Sequence, residues 1–206
     1  MLLTARLVIV IIAFGLLHHP LQDSPAPDTA GGAIVGVVAP PIGLQVDVPD
    51  DGWAGLVEWA EDRFALAGMD LPAGIVSIRP GEKEHCDGHS GLYRPGSVPE
   101  VRICVDRPVD SKISRFLLLH EFAHLWAENR LDAGTAEAFV AMRGLDAWQD
   151  ADRPRHEWGA EHAAEVLSWG LMDELVRVTR IRDAEPDRLS EAFIVLTGTH
   201  PLVSSG

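Results

Sequence analysis

Residues 116–126 read FLLLHEFAHLW. Two histidines, His120 and His124, stand four apart, and Glu121 follows the first directly. Phe116, Leu119, Ala123 and Trp126 recur at the three- and four-residue spacing of one helical face, so the stretch reads as part of a helix over residues 112–130. On a helix, residues four apart lie one above the other, so both imidazoles can turn towards one ion. Zinc takes neutral histidine nitrogen at ~2.0–2.1 Å, and two such ligands span adjacent corners of a tetrahedron. Glu121 sits ~100° further round the helix, from 3.6 residues per turn. Its carboxylate then falls beside the ion rather than on it, where it can accept a proton from water held there. A helix that merely carried these three side chains in a core would leave a buried polar trio that is costly to desolvate.

The segments around this helix set the fold class. Upstream, a helix is expected from about Asp51 to Ala67, capped by Asp50 or Asp51 and stopped by Gly68, with Trp53, Leu56, Val57, Ala60 and Phe64 at helical spacing. GIVSIRP (74–80) and EVRICVD (100–106) read as strands; in the second, Val101, Ile103 and Val105 share one face, Arg102 and Cys104 the other. The Gly-, Pro- and Ser-bearing stretch between them reads as a hairpin loop flanked by Cys86 and Cys104. Cross-strand cysteines near a hairpin can reach disulfide distance, and that pairing is preferred to metal ligation with His85 and His89. Downstream the pattern is helical: 112–130, a break starting at Gly134, TAEAFVAMRGLDAW (135–148) with Thr135 as N-cap, 153–181 starting near His156 or Gly159, and 186–198 stopped by Gly198. Strands first and helices after predict an α+β fold: a small N-terminal helix-plus-sheet layer with a hairpin, then the histidine helix and a helical C-terminal part.

Composition bounds the rest. The chain has 206 residues, 47% of them hydrophobic, enough for one ordinary domain. With 31 acidic against 17 basic side chains, its formal charge of −14 repels phosphate backbones and argues against a nucleic-acid partner. Residues 1–20 read as a signal peptide or an uncleaved signal anchor: Arg6 precedes an apolar run from Leu7 to Leu17, short for a membrane span. Residues 7–17 would then be a membrane tether. Residues 21–50, rich in Pro, Gly, Ala and Asp, read as a flexible linker, with AIVGVV (33–38) offering at most an edge strand, so the folded domain is placed at 51–206. Export to an oxidising compartment fits the cysteine pair.

The third metal ligand separates the zinc classes. A continuation H-x-x-G-x-x-H fails, because Ala127 and Arg130 stand where the glycine and third histidine would be. An aspartate ligand after a Gly-Thr pair is only weakly supported, because Gly134 and Thr135 are followed by Ala136 and Glu137. GAEHAAEVLSWGL (159–171) offers Glu161 and Glu165, four apart on one helical face, the first of them 37 residues after His124. With these residues the chain resembles the gluzincins, the thermolysin-like clan of zinc metallopeptidases, and within them the small minimal-domain members. RGLDAW (143–148) and EVLSWGL (165–171) also look like small actinobacterial and phage-type H-E-x-x-H proteins. The resemblance covers roughly residues 50–198.

The resemblance implies that His120, His124 and Glu161 hold Zn2+, that Glu165 accepts the free ring N–H of a ligand histidine, and that Glu121 is the catalytic base acting on a peptide or protein substrate. Glu157 and Glu165 compete with Glu161 as the third ligand. Thermolysin-like enzymes hold the oxyanion with a His and a Tyr from a C-terminal helical domain, whereas the one tyrosine here, Tyr93, lies upstream. His156, His162, Arg143 and Tyr93 remain candidates for that role. The alternative is a secreted or membrane-tethered, non-enzymatic zincin-like binding module with a structural or vestigial zinc site, against which an intact Glu121 argues.

Overall fold

The computed structural model describes residues 43–203; the 1–20 and 33–38 segments lie outside them. In chain order these residues form β1 (Leu44–Asp47), α1 (Asp51–Leu66), β2 (Gly74–Ile78), β3 (Gly91–Arg94), β4 (Glu100–Ile103), α2 (Lys112–Arg130), α3 (Ala133–Met142), α4 (Gly159–Leu171) and α5 (Pro186–Thr197). The fold is α+β, as the order of strands and helices implied. Among the described residues no helix is long and apolar enough to cross a membrane.

The local signals place α1 and α2 closely. Asp50 starts α1, its carboxylate accepting the N–H groups of Gly52 and Trp53. Ser111 starts α2 by accepting the Ser114 N–H. The α3 start differs from expectation: Asp132, not Thr135, is the N-cap, and it accepts the Thr135 N–H at 2.9 Å. Gly134 therefore lies inside α3 rather than in a break.

The sheet has the order β1-β2-β4-β3, with β1, β2 and β4 parallel and β3 antiparallel to β4. This corrects the expected hairpin. Parallel strands cannot be joined by a tight turn, so β2 and β4 are not its two arms. The arms are β3 and β4, with Tyr93 opposite Val101. β3 is four half-buried residues bounded by glycine and proline, too short to announce itself by alternation. β1 lies inside the stretch read as linker; it is largely exposed and held by backbone pairing to Gly74–Ser77, which leaves no hydrophobic signature.

α2 runs through the middle of the fold against α1, α4, β3 and β4. Phe64 of α1 meets Phe122 of α2 edge-on, with ring centroids 6.2 Å apart. α4 is buried along almost its whole length and backs onto α5. Gly170 permits that approach, because a Cβ there would stand 2.2 Å from the Phe193 ring. The helix expected through residue 181 stops at Leu171. There the Arg63 guanidinium takes the carbonyls of Leu171 (2.6 Å) and Met172 (2.8 Å), ending α4 with a side chain 108 residues away in sequence. The chain then crosses the molecule as an irregular segment anchored by buried Val178 and Ile181.

Cys86 and Cys104 are joined in a disulfide, so the cysteines do not ligate metal. The bridge ties the loop after β2 to the end of β4. With its ends 18 apart in sequence, a loop of that size is worth ~3 kcal/mol on the chain-entropy account. His85 lies against Ser77, its Nε2 3.0 Å from Oγ.

Candidate metal centre

α2 delivers two imidazoles to one point: His120 Nε2 and His124 Nε2 lie 3.2 Å apart. α4, packed across α2, brings Glu161 Oε2 to 3.4 Å from the first and 3.7 Å from the second. Ligands ~2.0–2.1 Å from a common centre at tetrahedral angles stand about 3.3–3.4 Å apart. The three donor atoms thus have the spacing of three corners around a zinc-sized centre. The packing of α4 on α2 brings Glu161, rather than Glu157 or Glu165, to both Nε2 atoms. Glu157 lies in the turn before α4 and pairs with Arg153 at 3.2 Å. Glu165 is one helical turn on and faces the other side of His120, its Oε1 3.6 Å from Nδ1. Neither that oxygen nor that nitrogen has a hydrogen-bond partner among the described residues, although both are buried. A proton on His120 Nδ1 turned towards Glu165 leaves the Nε2 lone pair free for an ion, the arrangement that orients a ligating histidine.

The charges of His120 and Glu161 suit the same reading. Burial pushes the His120 imidazole down to about 4, so it is neutral, as a ligand must be. Burial opposes charge on Glu161, but the His120 and His124 rings outweigh it and hold its carboxyl well below the usual range. His124 is raised: burial opposes its charge, but Glu161 and Glu121 favour it more. Burial pushes Glu165 up to about 7. The donor set is two imidazole nitrogens and one carboxylate oxygen, a composition zinc accepts in open catalytic sites.

Glu121 lies under the edge strand β3, lining the same cleft as the two histidines, and is 6% exposed. Burial pushes its carboxyl up to about 7, against the opposing pull of His124, the Tyr93 backbone N–H and Arg180. Gly91 makes the close approach of β3 feasible: a Cβ there would stand 2.5 Å from Glu121 Oε1. These groups open onto a cleft of about 690 Å³, walled by β3 on one side and by Trp148, Arg155, His156 and Trp158 on another.

Of the four residues considered for holding an oxyanion, two are turned away. His162 is 2% exposed and lies near Arg143, outside the cleft. Arg143 donates to the carbonyls of Arg182 and Asp183, fastening the irregular segment. Tyr93 and His156 line the cleft. The Tyr93 ring stacks on His124 at 6.3 Å, but its hydroxyl faces Asn129 at 3.4 Å, five residues further along α2 and so ~7.5 Å beyond His124. Sequence reasoning missed Arg180, whose guanidinium reaches the cleft 3.8 Å from Glu165. No local signal marks it, because it lies in the segment that reads as a continuation of α4. In comparisons with known proteins, the chain matches no family model and no curated protein.

Proposed function

We propose that the protein is a zinc-dependent peptide-bond hydrolase of gluzincin type. The observation that carries this reading is the convergence of His120, His124 and Glu161, with all three donor atoms within 4.8 Å of one another, beside a buried carboxylate that is not one of the three. His120, His124 and Glu161 would hold the metal. Zinc in such a site polarises a carbonyl and lowers the pKa of water towards ~7.

The chain's own residues do the rest. Glu121 accepts the proton of the attacking water and returns it to the leaving amine. A carboxyl near 7 suits both halves of that task at neutral pH. Glu165 fixes the His120 ring, so the ligand nitrogen stays aimed at the centre. Among the described residues β3 pairs with β4 on one side only, so its other edge is open to an extended peptide laid along the cleft. The Cys86–Cys104 bridge, at the foot of that strand pair, would keep the edge rigid. The disulfide and the Leu7–Leu17 run together support placing the enzyme outside the cytoplasm, secreted or tethered.

A peptide library incubated with the purified chain tests the reading. Cleavage should be abolished by a chelator and restored by added zinc. A zinc-loaded protein that cleaves nothing would make the site a binding module instead.

A further inference from the structure

A second hollow, of about 340 Å³, opens off the cleft beside His120. The two share Ser90, Leu117, His120, Glu165 and Arg180, so a group seated in the hollow lies next to His120, one of the proposed metal ligands. Val105, Phe116 and Val176 give it an apolar wall, and Ile113, 54% exposed, forms part of the lip. Three cationic side chains line it as well: Lys112, Arg177 and Arg180. Lys112 is neutralised by Glu174 at 2.5 Å. Arg177 makes no side-chain hydrogen bond or ion pair among the described residues, and Arg180 makes only the 3.8 Å approach to Glu165. Several arginines elsewhere in the described structure are matched to carboxylates, Arg94 to Asp87, Arg102 to Glu100, Arg115 to Asp173 and Arg188 to Glu191, while Arg63, Arg143 and Arg182 donate to backbone carbonyls. In a chain of formal charge −14, Arg177 without a carboxylate partner among the described residues and Arg180 with only a distant one line the same hollow beside the site.

We propose that this hollow receives the substrate side chain next to the cleaved bond, and that Arg177 and Arg180 make it select a carboxylate, so that the substrates are acidic peptides. The proposal rests on the peptide-hydrolase reading above. A guanidinium fork matches a carboxylate with two parallel hydrogen bonds. The apolar wall covers the methylenes of a glutamate, while its charged end stays at the lip with the arginines. The protein's overall field repels acidic peptides, so local cations are needed to admit them. A lysine side chain would meet two like charges in the hollow.

The test measures binding rather than turnover. Full-length Glu121→Gln protein is titrated with fluorescent Ala/Gly peptides, amidated at the C-terminus, carrying one central Glu, Gln, Leu or Lys. The Glu peptide should bind about tenfold tighter than the Gln peptide, the combined effect of two partly exposed charge pairs, with Lys weakest. The gap should shrink as salt is raised. It should close in Arg177→Gln/Arg180→Gln and reverse towards Lys in Arg177→Glu/Arg180→Glu. Each single Arg→Gln change should narrow it about threefold, a check that survives if a double variant folds poorly. Zinc-free wild type, which cannot turn over, repeats the series. The idea is overturned if Gln or Leu peptides bind as well as Glu, if the gap survives removal of both arginines, or if the Glu peptide does not bind. Selective binding without cleavage by wild type would leave the hollow's selection of a carboxylate side chain standing and remove the hydrolase reading, and with it the hollow's place beside a cleaved bond.

Discussion

Glu121→Gln protein should keep its zinc and lose peptide hydrolysis by about 10²–10⁴, the usual worth of a positioned general base. The amide has the shape of the carboxylate, so it fits under β3 where Gly91 leaves room for it. It retains an oxygen to face the Tyr93 N–H, and it brings no buried charge, so the fold is not burdened by the change. It cannot accept the proton of the attacking water. Glu121 stands outside the group of three convergent donors, so metal binding has no reason to change. Rates of hydrolysis and zinc content, measured on one preparation, separate these effects. A variant that cleaves as fast as wild type with zinc in place would move the base to another residue.

The second large effect sets Glu161 against Glu165. Glu161→Ala leaves two histidines at the centre and should lose most of its zinc, with activity falling alongside. Glu165→Ala leaves all three ligands in place and removes only the carboxylate behind His120 Nδ1. Its zinc affinity should weaken about 10–100-fold, the usual consequence of losing a partner that orients a ligand. Metal content of the two variants at matched free zinc distinguishes them. The reverse order, Glu165→Ala empty and Glu161→Ala loaded, would move the third ligand one turn along α4.

The difference between what was legible in sequence and what was not follows the range of the interactions. α2 could be read to its ends because its start depends on Ser111 and its pattern on its own apolar face. His120, Glu121 and His124 are fixed by that helix alone. Glu161 needs a second helix, and only the resemblance pointed to it among several acids; the packing of α4 on α2 is what brings it within 3.7 Å of both rings. β1 and β3 are not legible in the sequence because edge strands are specified by backbone pairing more than by side-chain alternation. The end of α4 was invisible because Arg63, far upstream, sets it by binding the Leu171 and Met172 carbonyls. That one capping interaction releases residues 172–185 from the helix, and the irregular segment it creates brings Arg177 and Arg180 beside the site. The same rerouting buries Arg143 against the carbonyls of Arg182 and Asp183, which removes it from the oxyanion candidates.

The measurement that bears most directly on the central claim is the zinc content of the purified full-length chain beside that of His120→Ala. The convergence of two ring nitrogens and a carboxylate oxygen predicts about one zinc per chain in wild type, a large loss of it in His120→Ala, and a lower melting temperature for wild type once zinc is stripped. Wild type that stays metal-free after dialysis against zinc, melting at the same temperature with and without the ion, would contradict the account.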